Sequence, residues 1–201
     1  MKKILVYYGY SQKNAGDMAI CFGLLDLLEE LHDCEITLVS RYAEKDKLFL
    51  ESKEIIQKYH PRVVVKPGYI SFNRDGGVFS KIKSYFSGFF ISSFPSFSKK
   101  LKDDINNSDL ILFNGGNYLR SNSFADITRF KALMFPINYA KKHNKKVICM
   151  PQSTAKAKNS SALKRLKKVC DLFDHIFVRD PISYKYLIDN NVCNATFLLP
   201  P

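Results

Sequence analysis

Arg179 is the side chain best suited to gripping an anion. It stands directly after the apolar run His175-Ile176-Phe177-Val178, and a guanidinium at a strand end binds carboxylate or phosphate through a bidentate fork. The competing reading is an ion pair with the adjacent Asp180 or with a neighbouring helix. Ser183 follows one turn into the next helix. Three further loops have unusual content. Asn14-Ala15-Gly16-Asp17 follows the first strand and lacks both the dinucleotide glycine spacing and the lysine of a phosphate loop. Asn14 can cap the helix there, and Gly16 permits close approach. The Asp17 carboxylate repels a phosphate at that spot, so a hydroxyl-rich ligand such as a sugar fits better, with simple capping as the alternative. Asn114-Gly115-Gly116-Asn117 would turn backbone N–H groups toward an anion or a sugar, or serve only as a bend. In Met150-Pro151-Gln152-Ser153, Gln152 and Ser153 direct hydrogen-bonding groups to the same rim.

Metal and thiol chemistry are not indicated. His32, His60, His143 and His175 lack ligand spacing, so no structural metal is expected. Cys21, Cys34, Cys149, Cys170 and Cys193 form no C-x-x-C pair and sit in apolar surroundings, as buried reduced thiols of a cytoplasmic protein would.

The elements that must position these residues alternate strand and helix, the pattern of a parallel sheet covered on both faces. Strands are predicted at 4–8, 35–40, 63–66, 109–113, 146–150, 175–178 and 195–198. Helices are predicted at 16–31, 44–59, 125–143, 160–173 and 182–190. In the first helix Ile20, Leu24, Leu27, Leu28 and Leu31 keep helical spacing, with Glu29 and Glu30 on the polar side. The rhythm breaks between 69 and 98, where 85–97 is rich in Phe and Ser. Two readings stand for that stretch: a lipid-facing excursion with peripheral membrane contact, or a core-packed helix and loop, the commoner fate of aromatic-rich segments. In open sheets of this kind ligands bind beyond the carboxyl ends of the strands, where all four loops fall.

The 201 residues are 46% hydrophobic and 25% charged, a globular composition, with a formal net charge of +12. That surplus attracts polyanions, anionic membranes or phosphorylated small molecules. The lysine-rich stretches at 99–102, 141–146 and 164–168 fall on polar helix faces or helix ends, and no aromatic-interleaved basic stripe is present, so no nucleic-acid partner is expected. The opening apolar run is too short for a signal peptide, and no stretch approaches a membrane-spanning length. Leu198-Leu199-Pro200-Pro201 follows directly on a strand. The expectation is one Rossmann-like N-terminal domain over 1–201, with a C-terminal domain missing.

Asn14-x-Gly16-Asp17-x-Ala19, Gly115-Gly116-Asn117, the Gln152 turn and Val178-Arg179-Asp180-x-x-Ser183-x-x-x-Leu187 occur in an order and spacing that resembles the polysaccharide pyruvyl transferase family. Two departures are conservative: Asn114 precedes two glycines where relatives often show three, and Asp180 stands where glutamate is common. The resemblance implies the N-terminal half of a two-domain transferase of GT-B type, with substrate-binding residues Asn14, Gly16, Gly115, Gly116, Asn117, Gln152, Ser153, Arg179 and Ser183, and Asp17 as catalytic base or hydroxyl ligand. It implies transfer of a pyruvyl group from phosphoenolpyruvate to sugar hydroxyls of a surface or exopolysaccharide, with no cofactor. The acceptor would be a sugar or lipid-linked oligosaccharide, met in the cytoplasm or at the inner face of the membrane. Further catalytic groups would lie in the missing half, leaving this stretch alone inactive. The rival readings are a GT-B nucleotide-sugar glycosyltransferase and an inactive binding module.

Overall fold

The computed structural model describes residues 1–69, 99–120, 122 and 124–198. β1 (Lys2–Gly9) is buried from Ile4 onward, as an interior strand with both faces covered must be. Asn14 caps α1 (Ala15–Glu29), its Oδ1 accepting from the Asp17 N–H at 3.3 Å. β2 (Cys34–Ser40), α2 (Lys47–Tyr59, capped by Asp46) and β3 (Val64–Lys66) complete the first series. The second series begins with α3 (Lys99–Asn106), where the sequence reading gives no element. It continues through β4 (Leu110–Phe113), β5 (Gly116–Leu119), α4 (Phe124–Lys142) and β6 (Lys146–Thr154). α5 (Ser160–Cys170, capped by Asn159), β7 (His175–Val178), α6 (Pro181–Asp189, capped by Asp180) and β8 (Ala195–Phe197) follow. The Phe- and Ser-rich stretch 85–97 lies outside the described residues.

The protein is therefore an α/β fold of Rossmann type, with strands in the order β3-β2-β1-β4-β6-β7-β8 and β5 also paired to β6. The strand pairings are parallel, so the carboxyl ends share one edge. The chain builds outward through β1, β2 and β3 in one direction and through β4 to β8 in the other. With the right-handed crossovers that parallel strands follow, this order puts the two helix series on opposite faces and opens a topological switch point between β1 and β4. At the opposite edge two aspartates do equivalent work. Asp109, just before β4, accepts the Lys3 N–H at 2.8 Å, and Asp174, just before β7, accepts the Val147 N–H at 2.8 Å. Each satisfies a donor on the neighbouring strand that the ladder does not reach.

Three expectations need correction. Gly116–Leu119 is strand β5, not a loop, and β6 runs on through Met150-Pro151-Gln152-Ser153 to Thr154. Phe113 pairs with Cys149 and Gly116 with Gln152, so β5 picks up along β6 in step with β4 after an interruption at Asn114-Gly115, and the register shifts by one residue between Gly116 and Leu119. The buried stripe of α1 is Met18, Cys21, Leu24, Leu25 and Leu28, while Leu27 and Leu31 are largely exposed. A leucine-rich helix offers two adjacent stripes, and its docking on the sheet selects the one at steps of three and four from Met18. Cys21, Cys34, Cys149 and Cys170 are buried, but Cys193 is exposed in the turn before β8.

Candidate functional site

Asn114 closes the switch point. Its backbone N–H donates to Tyr7 O and its Nδ2 to Tyr8 O at 3.0 Å, stitching the end of β4 to β1, while its Oδ1 accepts the Gly115 N–H at 2.8 Å. The Gly115 amide expected to face a ligand is thus already used inside the protein. The glycine pair serves close packing instead. A Cβ at Gly115 would lie 2.7 Å from Ile20 Cγ2 and 2.9 Å from Pro151 O. Gly116 has φ +147°, and a Cβ there would meet the Tyr10 hydroxyl at 2.5 Å. That hydroxyl donates to Gly115 O at 3.1 Å. Asn117, between them and Tyr118, is the exposed residue of β5.

Gln152 is 1% exposed and does not reach the rim. Its Nε2 donates to Asn114 O at 2.7 Å and its Oε1 accepts the Tyr118 N–H at 3.1 Å. These are the backbone groups orphaned where β4 gives way to β5. Gln152 splints the interrupted strand with an amide side chain that mimics the missing ladder.

At the start of α1 the capping reading of Asn14 holds. Beyond the cap bond, Asn14 Nδ2 donates to Asp17 Oδ2 at 2.5 Å. Gly16 is exposed in this first turn, and its Cβ position is open apart from Asn14 Oδ1 at 3.8 Å. Beside this turn stands a cluster that the sequence reading omits. Arg41, immediately after β2, is only 7% exposed, and its guanidinium carbon lies 5.5 Å from the ring centroids of both Tyr10 and Tyr118. The two rings are themselves stacked, 5.7 Å apart and tilted by 20°. Burial pushes the Tyr10 hydroxyl well above its ordinary range, helped by Tyr118, so it remains a protonated donor. The signal for Arg41 was available: it is a cation at a strand's carboxyl end, the placement that singles out Arg179.

Farther along the rim, Ser153, Arg179, Asp180 and Ser183 form one polar network. Arg179 Nε donates to Ser153 Oγ at 2.7 Å, and that hydroxyl donates to Asp180 Oδ2 at 2.8 Å. Asp180 Oδ1 caps α6 by accepting the Ser183 N–H at 2.7 Å. Ser183 Oγ in turn accepts the Thr154 N–H at 2.9 Å. Burial raises the Asp180 carboxyl, but the Ser183 amide, the Ser153 and Ser183 hydroxyls and the Arg179 charge together hold it below its ordinary value. Arg179 is exposed and anchored through Nε, which orients its two terminal nitrogens as a fork.

The predicted residues thus fall into two groups: Asn14, Gly16, Asp17, Gly115, Gly116 and Asn117 around the switch point and β5, and Ser153, Arg179 and the buried Ser183 at the ends of β6 and β7. Gln152 lies buried between them. With strands about 4.8 Å apart, the ends of β1 and β7 are separated by roughly 14 Å, the span of a ligand larger than a three-carbon acid. Among the described residues no group of three or more His, Cys, Asp or Glu could hold a metal ion.

Fold and site together define a Rossmann-type domain that carries a polar, cation-bearing rim at its switch point, the usual ligand edge of such sheets. The sequence model of the polysaccharide pyruvyl transferase family matches residues 14–201. The chain belongs to that family, and is a transferase of the polysaccharide-pyruvylating type. No curated protein matches it.

Proposed function

We propose that the protein takes phosphoenolpyruvate as donor and builds a cyclic pyruvate ketal on two hydroxyls of a sugar in a surface or exopolysaccharide. The observation that supports this reading is Arg179, fixed by Ser153 at 2.7 Å with its fork turned outward, in a chain matched by the family over residues 14–201. One sugar hydroxyl adds to the enol carbon as the methylene takes up a proton and becomes a methyl. The carbon–oxygen bond to phosphate then breaks, and inorganic phosphate leaves. A second hydroxyl attacks the same carbon, loses its proton and closes the ring. Such a sequence needs cationic clamps for the donor's phosphate and carboxylate, and a base near the acceptor. Arg179 takes the clamp role, and Asp17 that of base or hydroxyl ligand. Asn14 holds the Asp17 carboxylate through Nδ2. Asn117 lines the approach, and residues Gly115, Gly116, Gln152, Ser153 and the buried Ser183 shape it.

The acceptor in this reading is a sugar or lipid-linked oligosaccharide, met in the cytoplasm or at the inner membrane face. Among the described residues no helix is long and apolar enough to cross a membrane. The test is incubation of the full-length gene product with phosphoenolpyruvate and sugar acceptors, followed by phosphate assay and NMR. Phosphate release together with a new ketal methyl signal supports the proposal, and both should fall at least a hundredfold in Arg179→Met. Inertness toward phosphoenolpyruvate with turnover of a nucleotide sugar would sink it.

A further inference from the structure

The cluster around Arg41 has no place in the reading above, yet it buries a guanidinium at the ligand edge. Removing a guanidinium from water costs several kcal/mol unless hydrogen bonds and an opposite charge compensate. Arg41 is 93% removed from solvent by its 7% exposure, and its Nε has no hydrogen-bond partner among the described residues. Its contacts are the Tyr10 and Tyr118 rings at 5.5 Å each, a triangle with the 5.7 Å ring pair as base. Ring faces stabilise a cation, but they satisfy none of its five N–H donors. Among the described residues the carboxylate acting on it is Asp17, one of whose oxygens already accepts from Asn14 at 2.5 Å. The cluster is also held rigidly. Tyr10 is fixed through Gly115 O at 3.1 Å, and only a glycine at 116 leaves room for its hydroxyl.

We propose that Arg41, walled by Tyr10 and Tyr118 at the end of β2, is a second oxyanion site, taking a carboxylate or phosphate group with its unpaired N–H donors. It is built from other elements than the Arg179 fork. Its parent strand β2 lies four strand spacings from β7, about 19 Å, and the two side chains lean toward each other across the ligand edge, Arg179 to Ser153 on β6 and Arg41 over Tyr10 and Tyr118. The oxyanion comes either from the donor or from an acidic group on the acceptor sugar. The site does not depend on the donor being phosphoenolpyruvate.

The experiment is a titration of the full-length protein, with tyrosine rings isotopically labelled, against inorganic phosphate, phosphoenolpyruvate, glucuronate and glucose, followed by NMR of the Tyr10 and Tyr118 signals. Wild type should show saturable shifts with phosphate and with at least one of the two acids, and none with glucose. A response to phosphoenolpyruvate but not glucuronate assigns the oxyanion to the donor; the reverse assigns it to the acceptor. Arg41→Met should weaken the response at least tenfold while its melting temperature without ligand stays level or rises, because an uncompensated buried charge has been replaced by a thioether of similar reach. If Arg41→Met does not fold, Arg41→Lys decides: a shorter point charge without the fork should bind at least fivefold more weakly. Unchanged binding in the folded variant, a response to glucose equal to that of the acids, or no anion-dependent shift in wild type overturns the site. Ketal formation is assayed separately, so an anion that binds at Arg41 without turnover tells against the pyruvyl reading and leaves this one standing.

Discussion

Replacing Gln152 with alanine isolates the device that holds the ligand edge together. The wild-type side chain is 1% exposed and satisfies Asn114 O at 2.7 Å and the Tyr118 N–H at 3.1 Å. Both partners are buried backbone groups at the break between β4 and β5, where no neighbouring strand supplies an alternative. Leaving a buried polar group unpaired costs about 1–3 kcal/mol. Two such groups would give about 2–6 kcal/mol, and a water entering the vacated space would recover part of it. We therefore expect Gln152→Ala to lower unfolding stability by about 2–4 kcal/mol, a large share of the roughly 5–15 kcal/mol usual for a domain. For a chain of 201 residues each kcal/mol moves the melting temperature by about 2–4 °C. A fall of roughly 6–12 °C follows for a loss near 3 kcal/mol. Urea titration by circular dichroism measures the free energy, and hydrogen exchange at the Tyr118 amide reports the local break. Gln152→Glu should be no better, since it opposes a carboxyl oxygen to Asn114 O. If Gln152→Ala stays within about 0.5 kcal/mol of wild type, as surface substitutions do, the splint argument is refuted.

Two further outcomes can be checked independently. Burial pushes the Cys21 thiol up to about 11 and Cys170 to about 12, and raises Cys149 as well, whereas Cys193 is exposed. A thiol reagent at neutral pH should thus modify Cys193 quickly in the native protein and the other four cysteines only on unfolding, with mass spectrometry locating the label. Asp180 has its folded-state value held below the unfolded one, so its ionised form adds stability above the unfolded carboxylate range, about pH 3.9, and loses it as pH falls through the folded value. Asn at 180 still caps α6 but cannot ionise. Asp180→Asn should consequently be less stable than wild type at pH 7, and the gap should close below about pH 4 in thermal melts across that range. A gap that persists at low pH would contradict it.

The alternation of strand and helix was legible because each element carries a local signal. β4 and β1 from Ile4 onward are short unbroken apolar runs, and Asn14, Asn159 and Asp180 stand where their side chains cap the helices that follow. The ordered motifs from Asn14 to Leu187 were legible in the same way, since order and spacing need no coordinates. The helix at Lys99–Asn106 was missed because two turns of mostly charged residues give too short a period to read.

Sequence by itself determined that this is a parallel α/β chain of the pyruvyl transferase family, with its polar residues at strand ends. Only the tertiary structure decided which of those residues remain free for a ligand. Asn114 and Gln152 look identical on paper to binding-loop amides, but the pairing of β6 with both β4 and β5 turns them inward as structural splints. The same folding sets Arg41 between Tyr10 and Tyr118, which lie 31 positions before it and 77 after it in the sequence. A hydrophobic period reports how a residue sits within its own element. It carries no record of which distant strand will lie alongside, and that pairing settles whether a donor is spent on the fold or left for chemistry.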